Sequence, residues 1–148
     1  MTFGTKAQAS GFYTSPDNML EEEWRRPENW DEFVRMEAYR ATWERIQKKD
    51  LLERTTDTGA FLKVELERVR RQQRCIDNIR GQGTFIGFDV DGGHRGMRKL
   101  IRWCVRHGVH VSPCGDETIG LRPALILEQI HAAFLRDALL YFRSTNDI

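Results

Sequence analysis

The chain has 148 residues, 40% of them hydrophobic and 30% charged, and its formal net charge is +1. This composition is typical of a globular domain, and the near-neutral charge gives no overall electrostatic attraction to nucleic acid or to an anionic membrane. Apolar runs of only a few residues are far short of the roughly 20 needed to span a bilayer. Three scattered cysteines do not form a disulfide framework, which favours a reducing, intracellular compartment.

The first thirteen residues surround a single lysine, Lys6, with glycine, alanine, serine and threonine. Small neighbours let the backbone approach a bound group closely, and a lysine shielded from water can act as an amine nucleophile toward a carbonyl. A solvated lysine near a chain end is the plainer interpretation. The residue pattern alone leaves both open.

Two helices are predicted after an irregular, charged stretch at residues 14–31. Apolar residues recur three and four apart from Glu32 to about Gln73, with Asp50 as a cap between the helices. The first stripe consists of Phe33, Met36, Tyr39, Trp43 and Ile46; the second consists of Leu51, Leu52, Thr55, Gly59, Leu62, Leu66 and Val69. Both are interpreted as packing helices.

The rest of the chain predicts the element order β-α-β-β-α. Thr84–Val90 is a strand between glycine-rich turns, Arg95–His107 is an amphipathic helix, Val109–Val111 and Thr118–Leu121 are short strands, and Glu128–Phe142 is a closing helix. The first of these helices has Arg95, Arg98, Lys99, Arg102 and Arg106 on its polar faces. This order predicts a small α+β layer with a sheet under two helices.

Four potential metal ligands, Cys104, His107, His110 and Cys114, lie within eleven residues. Two thiolates and two imidazoles suit zinc, but the spacing is not that of a zinc finger. Cys104 continues the apolar stripe of its helix and reads as a small buried side chain. We therefore predict no metal site.

Three blocks carry a family resemblance. The segment TFGTKAQASGF at residues 2–12 resembles the pyridoxal phosphate lysine segment of class III aminotransferases, particularly those of the 4-aminobutyrate and lysine 6-aminotransferase type. CGDETIGLRPAL at residues 114–125 looks like their C-terminal block, and RGQGTF at residues 80–85 looks like the turn that opens their small-domain sheet. The blocks occur in the family's order and at about its spacing.

The resemblance implies an α+β fold, the C-terminal small domain of a fold-type I pyridoxal phosphate transferase, with an antiparallel or mixed sheet backed by helices. It divides the chain into a remnant of the large domain at residues 1–31, linking helices at 32–75 and the small domain at 76–148. Because the family's other cofactor contacts precede the lysine, the resemblance also implies a truncated C-terminal fragment that is inactive alone.

The resemblance also assigns site residues. Lys6 takes the place of the lysine that forms the Schiff base with pyridoxal phosphate. Asn29 lies where the family has an Asn-Thr-Trp-x-Gly sequence near the cofactor phosphate, although Asp31 brings unfavourable charge there and Asn29 or Asp31 can instead cap the following helix. The place of the family's functional arginine is Gly120, which leaves Arg122 as a weaker candidate for binding the substrate carboxylate.

The implied reaction converts 4-aminobutyrate and 2-oxoglutarate into succinate semialdehyde and glutamate in a homodimer, with lysine or ornithine as other possible amino donors. Its partners are therefore small molecules, an amino donor and a 2-oxo acid, rather than nucleic acid or membrane. The location is the mitochondrial matrix for an animal protein and otherwise the cytoplasm, and we identify no targeting peptide in this sequence. The alternative is a non-catalytic α+β interaction or dimerisation module derived from an aminotransferase.

Overall fold

The structure, a computed structural model, describes residues 2–3, 11–12 and 31–142 and comprises two compact units, Met1–Leu51 and Leu52–Ile148. In the first unit, strands β1 (Thr2–Phe3) and β2 (Gly11–Phe12) pair antiparallel, with Thr2 opposite Phe12. Helix α1 (Asp31–Lys48) follows them in the chain. None of the helices in the described ranges is long and apolar enough to cross a membrane.

The two predicted helices are confirmed as α1 and α2 (Leu51–Gln73). Asp50 separates them in a left-handed backbone conformation (φ 47°), which aspartate tolerates better than most residues. The prediction that α1 packs through its apolar stripe is wrong for Met36 and Trp43, which are 66% and 46% exposed. A three-and-four spacing determines which residues share a helix face, but not whether another element covers that face.

The second unit contains a four-stranded antiparallel sheet in the order β3-β4-β6-β5. Its elements in chain order are β3 (Ile76–Gln82), β4 (Phe85–Val90), α3 (Gly93–Arg106), β5 (Ser112–Pro113), β6 (Thr118–Leu121) and α4 (Gln129–Leu140). The predicted α+β class is confirmed, as are strands β4 and β6 and helices α3 and α4.

Two strand predictions are wrong. The β-α-β-β-α order omits β3, which pairs with β4 across a bulge between Asp77 and Arg80. The residues of β3 give little alternation because only Ile76 is buried and Asn78 has a φ of 50°. A strand is also displaced: the residues that pair with β6 are Ser112 and Pro113 rather than Val109–Val111. Proline is tolerated there because β5 is an edge strand.

One hydrophobic core joins the sheet to the helices of this unit. Alternate residues of β4 are buried, so the sheet has one core face. Each helix contributes a stripe to the same cluster. Its main members are Leu62, Leu66 and Val69 of α2, Ile86, Phe88 and Val90 of β4, Met97, Leu100 and Cys104 of α3, Ile119 and Leu121 of β6, and Ala132, Leu135 and Leu139 of α4.

A polar network ties three strands together on the opposite face. The Asp89 carboxylate of β4 accepts hydrogen bonds from the Thr118 hydroxyl (2.5 Å) and the Asn78 amide (2.7 Å), and it pairs with Arg80 at 2.9 Å. These contacts, the Thr118 hydrogen bond first among them, lower the pKa of Asp89. The network stabilises the bulged edge of the sheet, where the backbone ladder is interrupted.

Candidate functional site

A cavity of about 810 Å³ opens in the second unit. The segment after α3, the end of β6 and the first half of α4 form most of its wall. The lining includes Val109, His107, His110, Ser112, Pro113, Cys114, Gly120, Leu121, Arg122, Leu127, His131, Phe134 and Leu135. The volume suits a small organic ligand. The cavity contains the predicted substrate position, since both Gly120 and Arg122 lie on its wall.

Two histidines on this wall have opposite neutral tautomers. His107 Nδ1 lies 2.8 Å from the Trp103 carbonyl oxygen, which only accepts, so Nδ1 carries the proton and Nε2 is an acceptor. His131 Nδ1 accepts the Glu128 backbone N–H at 3.1 Å, so the proton of the neutral ring is on Nε2. In the neutral rings, Nε2 is therefore an acceptor in His107 and a donor in His131.

Gly120 lies directly against Cys114. A Cβ atom at position 120 would lie 3.3 Å from Cys114 Cβ and 3.8 Å from Cys114 Sγ. A larger side chain there requires Cys114 to move by a few tenths of an ångström, and Cys114 is exposed in the loop between β5 and β6. The fold therefore does not prohibit a larger side chain at this place, and the correspondence of Gly120 to the family's arginine stays a prediction of the resemblance.

Arg122, the remaining arginine, follows β6 directly. Its guanidinium carbon lies 5.3 Å from the centre of the Phe85 ring, within the range of a cation–π contact. Phe85 is 62% exposed on the neighbouring strand. This contact leaves the positive charge near the cavity wall, where it can attract a carboxylate.

The other predicted site residues, Lys6 and Asn29, lie outside the described residues. The described strands β1 and β2 flank residues 4–10, the part of the chain that contains Lys6. The roles of Lys6, Asn29 and Arg122 remain predictions. The positions of His107, Cys114 and His131 on this cavity did not follow from the residue pattern. The only available signal was Glu128 three residues before His131, the spacing of a helix-start hydrogen bond.

Of the four residues considered for zinc, the fold separates Cys104 from the other three, which line the cavity. Cys104 is fully buried in the core, whereas Cys114 is exposed. Across residues 31–142, no group of three or more histidine, cysteine or acidic side chains is arranged to hold a metal ion. Cys104 thus has the core position that the apolar stripe of its helix predicted.

We expect native protein to react with iodoacetamide at Cys114 and far more slowly at Cys75 and Cys104. The last two are at most 1% exposed, and burial raises the pKa of each thiol to about 11. Only about one buried thiol in a thousand would be a thiolate at pH 8. Mass mapping after labelling at pH 8 tests this, with guanidinium-unfolded protein as the control in which all three react. Fast native labelling of Cys75 or Cys104 would contradict the buried assignment.

The comparisons with known proteins agree with this fold. Residues 1–140 match the sequence profile described as aminotransferase class-III. The chain is 33% identical over 133 residues to the 4-aminobutyrate aminotransferase of Dictyostelium discoideum, covering 88% of this chain and 27% of that protein. It is 37% identical over 89 residues to human mitochondrial 4-aminobutyrate aminotransferase, covering 59% of this chain and 17% of that protein.

Among solved structures, an Arthrobacter phospholyase in complex with phosphoethanolamine matches with a TM-score of 0.68 and 26% identity, over 72% of this chain and 28% of that one. The fold is thus that of the small domain of pyridoxal phosphate aminotransferases. The chain belongs to the class III aminotransferase family. It spans between a quarter and a third of the length of the first curated relatives it matches.

Class III aminotransferases use pyridoxal phosphate, as the resemblance predicted. This cofactor presents an aldehyde to a lysine amine and, once bound, acts as an electron sink for amino-group transfer. Lys6 has the required amine, and the β1–β2 pairing brings together the two ends of the segment that contains it. Attachment of the cofactor to Lys6 remains a prediction of the resemblance.

Proposed function

We propose that this chain supplies the lysine segment and the small domain of an aminotransferase that moves the amino group of 4-aminobutyrate to 2-oxoglutarate. The products are succinate semialdehyde and glutamate. The main support is that the family match begins at residue 1 and continues to residue 140, so it includes both Lys6 and the cavity. The names of the curated relatives support 4-aminobutyrate as the donor.

In this proposal, the chain's residues have separate tasks. Lys6 holds the cofactor through its amine and moves a proton at the substrate carbon that carries the nitrogen. Asn29 donates a hydrogen bond to the cofactor phosphate. Arg122 attracts the carboxylate of the donor or of the 2-oxo acid from the cavity wall.

The apolar part of the cavity wall suits the hydrocarbon portion of such a substrate. Leu121, Leu127, Phe134 and Leu135 line it, and the described residues of the wall include no aspartate or glutamate. A site without carboxylates avoids repelling an anionic amino or oxo acid. The family resemblance implies that the active assembly is a homodimer. The names of the worm and human relatives include a mitochondrial location, which supports that location if the protein comes from an animal.

Lysine trapping tests the cofactor assignment. The purified chain is incubated with pyridoxal phosphate, reduced with borohydride and mapped by mass. We expect higher occupancy at Lys6 than at Lys48, Lys49, Lys63 or Lys99, and loss of that preferred product in Lys6→Arg. Even labelling of all lysines would overturn the role of Lys6.

Donor choice is tested separately, by measuring glutamate formed from 2-oxoglutarate with 4-aminobutyrate, lysine or ornithine. Because the resemblance implies a fragment that is inactive alone, we expect the purified chain to show no transfer above the cofactor-alone background with any of the three donors. Transfer above that background would contradict this expectation, and a rate that is largest with 4-aminobutyrate and absent in Lys6→Arg would then identify the donor. A preference for lysine or ornithine would retain the family assignment and change the substrate.

The second candidate is a non-catalytic interaction module, and two observations favour it. By the family resemblance, Gly120 stands at the place of the family's arginine, and the outer side of α4 exposes large apolar residues that a partner could cover. Ile130 and Phe134 are 60% and 61% exposed, and Tyr141 beyond the helix end is 73% exposed. Even lysine labelling together with concentration-dependent self-association would favour this candidate over the enzyme.

A further inference from the structure

Helix α3 carries five cations on one side, a set that we name the α3 basic stripe. Its members are Arg95, Arg98, Lys99, Arg102 and Arg106. With 3.6 residues per turn, these five fall within an arc of about 100°, opposite the buried Met97, Leu100 and Cys104. The four arginines are exposed and Lys99 is half-buried. The stripe is therefore the solvent face of a helix whose other face belongs to the core.

In the part of the chain that the structure describes, no acidic residue pairs with this stripe. Residues 92–115 contain no aspartate or glutamate. Within the described part of the chain, none of the five cations forms an ion pair, and their only side-chain hydrogen bond runs from Arg102 Nε to the Arg98 carbonyl (3.3 Å). On other elements, by contrast, Arg40, Arg70 and Arg136 each pair with a carboxylate at 3.1 Å or less.

This arrangement works against the helix itself. Like charges three and four residues apart repel each other on a helix surface, and Arg95 in the first turn opposes the helix dipole. The core contacts of α3 hold the helix in place despite this repulsion. A bound anion would remove the repulsion, so association with an acidic partner relieves an unfavourable feature of the free protein.

We propose that the α3 basic stripe is a docking surface for an acidic polypeptide segment with glutamates or aspartates at helical spacing. Four of its cations follow one another at intervals of four, three and four residues, over about 16 Å of helix: Arg95, Lys99, Arg102 and Arg106. A helix with carboxylates three and four residues apart repeats the same period. Arginine also matches a carboxylate with two parallel hydrogen bonds.

The surroundings of the stripe favour a polypeptide over nucleic acid or membrane. Bases need an aromatic platform, but Trp103 donates its indole N–H to the Ala138 carbonyl (2.7 Å) and lies against His107 and Phe142. Insertion into a membrane needs an apolar helix face. Met97, Leu100 and Cys104 of α3 are buried in the core, and the single exposed apolar side chain, Val105 (53%), does not make such a face. This inference does not depend on the proposed enzymatic function.

The test measures fluorescence anisotropy of a labelled oligo-glutamate against the purified chain. We expect saturable binding that weakens as salt rises toward about 0.15 M. The triple variant Arg95→Gln, Arg102→Gln, Arg106→Gln should bind about tenfold more weakly or worse. The matched control also removes three positive charges, but on other elements than α3, through Arg45→Gln, Lys49→Gln and Arg71→Gln. It should change the affinity less than about twofold.

Three results would overturn the proposal. The first is an equal loss of affinity in the two triple variants, and the second is the absence of oligo-glutamate binding at low salt. The third is that the stripe binds single-stranded DNA or phosphatidylserine vesicles more tightly than oligo-glutamate at matched ionic strength. Circular dichroism checks that each variant keeps its helices. If the α3 triple variant unfolds, the three single substitutions replace it, and the proposal then requires a loss at each position.

Discussion

Replacing Gly59 by alanine is expected to lower the free energy of unfolding by about 3 kcal/mol. Gly59 lies inside α2, where the usual effect of this substitution is a gain of about 1 kcal/mol in helix propensity. Here the added Cβ would come within 3.0 Å of the backbone of Gly83, with Gly83 Cα at 2.7 Å. Backbone atoms of a tight turn cannot move aside as a flexible side chain can, so the steric cost outweighs the propensity gain.

Chemical denaturation of Gly59→Ala measures this effect, and Gly87→Ala is the matched control. A Cβ at Gly87 would meet only ordinary contacts, with Thr118 Cγ2 at 3.7 Å and the Ile119 carbonyl oxygen at 3.8 Å. The free energy of unfolding of the control is expected to lie within about 0.5 kcal/mol of that of the parent protein. A stabilised Gly59→Ala variant would show that α2 does not approach the β3–β4 turn so closely.

Truncating Phe88 to alanine is expected to have a still larger effect and to lower the free energy of unfolding by about 3–5 kcal/mol. Phe88 is fully buried at the centre of the sheet, opposite Ile119 of β6. Removing its ring leaves a void between the sheet and the helices, and the surrounding side chains can fill it only in part. Because β6 leads to Gly120 and Arg122, the same variant should also loosen the cavity wall.

Phe85 provides the control for this prediction, since it has the same side chain on the same strand. It is 62% exposed and contacts the Arg122 guanidinium at 5.3 Å. Phe85→Ala should lower the free energy of unfolding by less than about 1 kcal/mol, the size of an exposed cation–π contact. Similar losses at both positions in denaturant titrations would contradict the assigned core face.

The candidate site was only partly predictable from sequence. Motif resemblance pointed to Gly120 and Arg122, because local residue order carries that information, and both line the cavity. His107 and His131 were not predicted there, since they are 24 positions apart and belong to different elements. Only folding brings such residues to one wall. Lys6 and Asn29 stay predictions from the resemblance.

The sequence by itself determined the elements whose periodicity reflects burial. Alternation gave β4 and β6, and the three-and-four spacing gave α2, α3 and α4, because each of these elements places one face in the core. The family also followed from sequence, because its motifs are local and remain in order.

Tertiary structure alone decided what depends on contacts between distant residues. Edge strand β3 has almost no burial pattern and exists through its pairing with β4 and the Asp89 network. Strand β5 is positioned by its register with β6 rather than by its own residues. Tertiary contacts also determine that Gly59 packs on Gly83 and that, within the described chain, the cations of α3 form no ion pairs. A sequence pattern records which residues avoid water, whereas pairing and close approach depend on which surfaces meet.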